Sequence, residues 1–248
     1  MSAWVVWLEG RDVRFGVLEG EMVQPHKGDV FGAPEPVGVA VPLGSLALVS
    51  PVRPGNFIGL WNNFGALAEK QGNARPDFPL YFLKAPSSII GPDASITPPA
   101  GYTGKVLYEG ELGIVIGRNH SIFGYTIVND VTALDVLNAD PSFPQWARAK
   151  SFASFGPVGP RIVTDIDLAT ARVRVALNGR VRQDYPLSDM IIPPARIVEL
   201  IGQEVALQPG DVIACGTSLG ALPMRPGTAV EVSIDGIGTL RNAMAGSE

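Results

Sequence analysis

Glu109 and Glu111 stand two residues apart in Tyr108-Glu109-Gly110-Glu111-Leu112, directly before the apolar run Gly113-Ile114-Val115-Ile116-Gly117. Side chains alternate faces along a strand, so both carboxylates project the same way beside a segment patterned for burial. A second apolar run, Gly124-Tyr125-Thr126-Ile127-Val128-Asn129-Asp130, ends on a third carboxylate, Asp130. Paired glutamates also occur at solvated strand ends, but carboxylates at the mouth of buried strands are unfavourable unless paired or metal-bound. The cations in view nearby are Lys105 and Arg118. Three oxygen donors without His or Cys favour a hard cation, Mg2+ or Mn2+, over Zn2+ or copper.

The elements that must position these groups are mostly strands. Residues 4–8, 13–18 and 22–24 are short strand-like runs separated by tight turns, a small antiparallel meander. Gly- and Pro-rich connections follow up to Pro51-Val52-Arg53-Pro54-Gly55, which sets a boundary near Pro54 between a small N-terminal β domain, residues 1–53, and a larger domain, residues 54–248. Phe57-Ile58-Gly59-Leu60 and Leu80-Tyr81-Phe82-Leu83 read as strands. The polar excursion between them, residues 62–77, reads as a lid weakly anchored at both ends. Arg172-Val173-Arg174-Val175-Ala176-Leu177 alternates into Asn178-Gly179, the signature of a hairpin with a primed turn. The single well-marked helix spans about residues 193–201, with Pro193 and Pro194 in its first turn and Ile197, Leu200 and Ile201 on one face. Residues 230–234 and 238–241 form a last pair of strands around Asp235-Gly236. The predicted class is mainly β with little helix.

Composition narrows the functions available. With 248 residues, 46% of them hydrophobic and 17% charged, the chain can bury a substantial core. The 29 glycines and 22 prolines fall between short apolar segments, as turns in a β-rich protein do. A net charge of −5 provides no basic surface for phosphates, so nucleic acid is not an expected partner. The one cysteine, Cys215, excludes an internal disulfide and suits a reducing compartment. No apolar span of membrane length appears, and the expected location is the cytoplasm, without a membrane partner.

The chain resembles the fumarylacetoacetate hydrolase superfamily along nearly its whole length. An ordered series of segments carries the likeness. Gly16-Val17-Leu18-Glu19-Gly20, Ile58-Gly59-Leu60-Trp61-Asn62 and Phe82-Leu83-Lys84-Ala85-Pro86-Ser87-Ser88 precede the two acidic runs. Lys150-Ser151-Phe152, Leu207-Gln208-Pro209-Gly210-Asp211-Val212-Ile213 and Cys215-Gly216-Thr217 follow them. The resemblance implies a small N-terminal β domain before a mixed β-roll core of the fumarylacetoacetase C-terminal type, assembled as a homodimer. It also implies cleavage, decarboxylation or isomerisation of a small-molecule 2-oxo acid around a divalent metal, in catabolism of aromatic or related compounds. By that pattern Glu109, Glu111 and Asp130 match the metal ligands and Lys150 the active-site lysine. Thr217 matches a residue whose hydroxyl or amide holds a substrate carboxylate, and Glu69 matches the acid of the lid. A 2-oxo acid chelates such a metal, which draws off charge as an enolate forms, while Lys150 adds a cation near the developing oxyanion. Read alone, Lys150 also fits a solvated lysine ahead of a loop.

Departures from the family pattern bear on the reaction. The lid carries Ala66 where relatives place a His three residues before the acid. Leu134 stands four residues after Asp130, where an Arg is usual. The connection Arg118-Asn119-His120-Ser121-Ile122-Phe123 is short, and Gly216-Thr217-Ser218 replaces Gly-Thr-Pro. His26 and His120 read as surface or turn residues, and Cys215 as a small buried one. Trp61, Phe64, Phe143 and Trp146 could line an apolar pocket or fill the core. Without the lid His, decarboxylation or isomerisation fits better than hydrolysis, which needs an activated water. The alternative is a diverged homologue that binds a metal and a small oxo acid without catalysis, and a purely structural β protein stands behind it.

Overall fold

A computed structural model describes residues 2–246. The larger sheet is mixed, and its successive strands, from one edge, are Glu35–Pro36, Met22–Lys27, Asp12–Glu19, Ala3–Glu9, Gly156–Val163, Ile122–Asn129, Gly110–Ile116, Val212–Ala214, Phe57–Trp61 and Leu80–Lys84. The N-terminal meander joins this sheet through antiparallel pairs Ala3↔Val163 and Trp4↔Ile162. Val212–Ala214 runs parallel to Phe57–Trp61, which makes the sheet mixed. A second sheet of five strands is ordered Ser95–Ile96, Gly238–Met244, Ala229–Ile234, Arg172–Leu177, Arg180–Pro186. The protein is mainly β, as its turn-rich pattern requires.

The core lies between the two sheets. Leu112, Ile114 and Ile116 from the acidic strand pack in one cluster with Val173, Val175, Val232 and Leu240 of the five-stranded sheet. Every residue of Gly110–Ile116 is buried, which explains its near-continuous apolar reading. The predicted hairpin is present: Leu177 pairs with Arg180, and Asn178 and Gly179 both take positive φ, 48° and 77°. That is the backbone a two-residue primed turn demands, and Asn and Gly adopt it most readily.

The helix Pro194–Ile201 matches its prediction and buries Ile197, Val198, Leu200 and Ile201. Each fully buried aliphatic side chain contributes roughly 1.5–3 kcal/mol relative to exposure. Of three shorter helices, Gly65–Gln71 falls where residues 64–70 read as a short helical or irregular stretch, whereas Leu134–Leu137 and Trp146–Lys150 were too brief to mark themselves by periodicity. Among the described residues no helix is long and apolar enough to cross a membrane.

The excursion over residues 62–77 differs from the expected loose lid. Phe64 is fully buried and packs edge-on against Tyr185 at 4.9 Å. Asn63 donates to the Cys215 carbonyl at 2.9 Å and accepts from the Ile192 N–H at 2.9 Å. The Ala66 N–H, unsatisfied at the start of its helix, donates to Asp189 Oδ2 at 2.9 Å. The first end is therefore fastened by buried groups that arrive from distant sequence.

Candidate active site

The acidic residues meet because of strand register. Gly110–Ile116 pairs antiparallel with Ile122–Asn129, and Gly110 lies opposite Asn129. The chain leaving Asn129 thus places Asp130 beside Glu109, whose carbonyl accepts the Asp130 N–H at 2.8 Å. Asn129 Oδ1 accepts the Glu109 N–H at 3.0 Å, which fixes the strand end. One carboxylate oxygen each from Glu109, Glu111 and Asp130 lies within 4.8 Å of the others.

Gly110 between the two glutamates has a steric cause. A Cβ there would come within 2.4 Å of Val175 Cγ2 and 3.0 Å of Val232 Cγ1. The two sheets touch at this point, so only glycine lets the acidic strand approach the second sheet. Its carbonyl accepts from the Thr217 hydroxyl at 3.0 Å and from the Tyr185 hydroxyl.

Two lysines from elsewhere in the chain complete the cluster. Lys150, last in the helix Trp146–Lys150, donates to Glu109 Oε2 at 2.9 Å and to Asp130 Oδ2 at 2.6 Å. Lys84 places Nζ 2.6 Å from Asp130 Oδ1 and donates to the carbonyls of Phe155, at 3.1 Å, and Lys150. The Lys150 side chain is only 2% exposed, which rules out the solvated-lysine reading. Lys105 and Arg118, the cations nearest in sequence, do other work: Arg118 pairs with Asp29 at 2.7 Å, and Lys105 is exposed.

The remaining carboxylate oxygens show where a further cation fits. Glu109 Oε1 accepts from the Thr132 hydroxyl at 2.7 Å, and Glu111 Oε2 from the Gly216 N–H at 2.7 Å. Glu111 Oε1 is buried and has no partner. With all three carboxylates ionised, two ammonium groups would leave one negative charge uncompensated in a buried site. Burial, and then the charges of Asp130 and Glu109, push the Glu111 carboxyl well above the ordinary range. Burial acts upward on Asp130 too, but Lys150 and Lys84 hold it below its usual value. Desolvation pulls Lys84 down, whereas Lys150 stays above the ordinary lysine value because three carboxylates surround it against desolvation. An unpartnered buried oxygen, an all-oxygen donor set and excess negative charge fit a hard divalent cation held by Glu109, Glu111 and Asp130.

A cavity of about 410 Å3 opens over the cluster. Glu109, Lys150 and Thr217 reach it from the polar side, while Leu60, Trp61 and Trp146 contribute apolar wall. Phe82 stacks on Trp146 with centroids 5.4 Å apart, and Trp61 lies 6.0 Å from the same ring. Of the aromatic candidates, Phe64 belongs to the core and Phe143 is 67% exposed.

The structure does not bring every predicted residue to this cavity. Glu69 is exposed on Gly65–Gln71, and the residues of that helix lining the cavity are Leu67, Lys70 and Gln71. The Thr217 hydroxyl already donates to Gly110 and accepts from Gln183 Nε2 at 3.0 Å. Among the described residues neither histidine lines the cavity; His26 packs edge-on against Trp4 at 5.2 Å and His120 sits in an exposed turn. Cys215 is buried, and burial pushes its thiol well up. Lys84, Thr132 and Gln183 escaped sequence reasoning. Lys84 had a visible signal, a lone charge ending the apolar run Leu80-Tyr81-Phe82-Leu83, whereas Gln183 had none.

Comparison with known proteins decides the family. The profile described as fumarylacetoacetate (FAA) hydrolase C-terminal matches residues 56–245. The chain belongs to the fumarylacetoacetate hydrolase family. A second profile, Rv2993c-like N-terminal, matches residues 8–51. Protein Rv2993c of Mycobacterium tuberculosis is 38% identical over 250 residues, which covers 93% of each chain. Among solved structures, the 2-hydroxyhepta-2,4-diene-1,7-dioate isomerase from Mycobacterium marinum is 35% identical, with a TM-score of 0.89 over 100% of this chain and 99% of that one. The 5-carboxymethyl-2-hydroxymuconate delta-isomerase from Mycobacterium smegmatis is also 35% identical, with a TM-score of 0.90 over 100% of both chains.

Proposed function

We propose that this protein is a divalent-metal-dependent enzyme that decarboxylates a 2-oxo acid or shifts its keto-enol equilibrium. The observation that carries the reading is the carboxylate cluster, with the unpartnered Glu111 Oε1, beneath a partly apolar cavity. When bound, Mg2+ or Mn2+ would hold a 2-oxo acid and withdraw negative charge as its enolate forms. Two relatives of similar fold bear the names of isomerases, which supports this class of reaction.

The side chains around the cavity divide the work. Lys150 stays an ammonium because its carboxylate neighbours raise its basicity. It therefore serves as a fixed cation beside developing negative charge and not as a base. Thr217 uses its hydroxyl proton on Gly110, so a substrate carboxylate in its vicinity would be met by the backbone amide. Trp61 and Trp146 give part of the cavity an apolar wall. A hydrolase needs a base to activate water, and the expected partners do not supply one: position 66 is alanine and Glu69 is exposed. Decarboxylation and ketonisation do not need that activated water.

The test is turnover of oxaloacetate, as pyruvate release and as loss of enol absorbance, beside an acylpyruvate cleavage assay. Metal-dependent loss of oxaloacetate or of its enol, abolished by chelator and by Glu111→Gln, is expected, with acylpyruvate left intact. Full activity in chelator would sink the metal-enolate reading. A ligand-induced rise in melting temperature with no turnover over hours would instead identify a non-catalytic binder.

A further inference from the structure

Gln183 occupies an inward-facing position of the edge strand Arg180–Pro186 and is only 1% exposed. A buried amide is costly unless its hydrogen bonds are made, and those of Gln183 run to two places only. Its Oε1 accepts the Gly110 N–H at 3.2 Å. Its Nε2 donates to Thr217 Oγ1 at 3.0 Å and to the carbonyls of Ser218, at 3.1 Å, and Leu219, at 3.3 Å. The next carbonyl, that of Gly220, accepts from the hydroxyl of the buried Tyr108 at 2.7 Å. Three successive carbonyls are thus turned onto two buried side chains. Neither Gln183 nor Tyr108 lines the cavity, whereas every residue from 217 to 221 does. A trans peptide points its N–H opposite its C=O, so the Leu219 and Gly220 N–H groups are directed away from these anchors. Among the described residues neither has a backbone acceptor.

We propose that Gln183 is a positioning residue, seconded by Tyr108: the two hold the segment 217–221 so that its backbone N–H groups meet the bound 2-oxo acid, and neither touches ligand or metal. A buried glutamine can simply stabilise a fold, but all three acceptors of this Nε2 belong to one stretch of cavity wall. The Thr217 hydroxyl is spent on Gly110 and Gln183, so what that stretch can offer an anion is its amides. Amides fixed before the ligand arrives stabilise its charge without reorganising. The inference rests on the 2-oxo acid reading and adds to it which buried side chains shape the wall that receives the acid.

Oxalate, a chelating stand-in for the 2-oxo acid end, separates the wall from the metal. Gln183→Met removes the donors in nearly the same volume, and Tyr108→Phe removes one hydroxyl while keeping its ring. Calorimetric titration should show oxalate binding the Mn2+-loaded Gln183→Met protein about tenfold more weakly than the wild type, near the upper end of what one hydrogen bond contributes, and Tyr108→Phe about threefold more weakly. Mn2+ affinity should not change in either, because Glu109, Glu111 and Asp130 keep their own partners. Amide exchange over residues 217–221 should quicken in both variants while that over Gly110–Ile116 stays slow, a split that general destabilisation does not produce. Wild-type oxalate affinity in Gln183→Met, or a parallel loss of Mn2+ affinity, would overturn the role of Gln183 and leave the 2-oxo acid reading intact. Should Gln183→Met not fold, Tyr108→Phe decides alone by the same readings. Wild-type protein that binds Mn2+ but no oxalate would remove both ideas.

Discussion

The Lys84 ammonium lies 2.6 Å from Asp130 Oδ1, and both side chains are fully withdrawn from solvent. Lys84 also spans the carbonyls of Lys150 and Phe155, so one side chain ties the edge strand Leu80–Lys84 to the end of the lysine-bearing helix and to Asp130. Removing one partner of a buried pair leaves the other charge uncompensated. Lys84→Met should lower unfolding free energy by about 3–5 kcal/mol, toward the lower end because Asp130 keeps Lys150. Urea denaturation measures it, and a change below about 1 kcal/mol would mean the pair has no structural weight.

Glu69→Gln should leave turnover within about twofold of the wild type, an effect as small as that of ordinary surface substitutions. The argument is positional: Leu67, Lys70 and Gln71 face the cavity, and Glu69 is exposed on the same helix. Steady-state kinetics on oxaloacetate decide it. A hundredfold fall in kcat would show that the helix moves to deliver Glu69 and that water activation survives without the histidine.

Cys215 should resist alkylation in the native state. It is fully buried in the continuation of the strand Val212–Ala214, and burial pushes its thiol above the ordinary value of 9.0. A raised thiol value means less thiolate at every pH below it, so moving from pH 7 to pH 9 should gain little labelling. Iodoacetamide labelling followed by mass spectrometry should show slow native modification and full modification in urea. Rapid native labelling would place Cys215 in an open, reactive environment.

Local pattern carried the parts of this site that depend on neighbouring residues. Alternation on the acidic strand placed Glu109 with Glu111, and Asn178-Gly179 marked a hairpin because two positive φ angles are needed there. Lys84 and the fastening of Asn63 and Phe64 depend on contacts between residues far apart in sequence, which no local periodicity encodes. The same holds for the meander, whose pairing with Gly156–Val163 makes its sheet continuous with the larger one. The glycine between the two acids was visible as a letter, but its reason, contact with Val175 and Val232, required the second sheet.

Glu111→Gln separates the metal from the fold in a single variant. Glu111 carries the buried oxygen without a partner, and its carboxyl is pushed up by burial and by Asp130 and Glu109. In metal-free protein the ionised form is thus disfavoured by its surroundings, and a neutral amide of nearly equal shape relieves the repulsion while its oxygen can still accept from the Gly216 N–H. The variant should be at least as stable as the wild type in chelator, within about 0.5 kcal/mol or better. Its affinity for Mn2+ should fall at least about tenfold, since a charged oxygen ligand is lost from an all-carboxylate set. Thermal unfolding in chelator and calorimetric Mn2+ titration read the two effects separately. Unchanged Mn2+ affinity would show that the ion, if it binds, is not held by this carboxylate, whereas a marked loss of stability in chelator would show that Glu111 has a structural role in the metal-free fold.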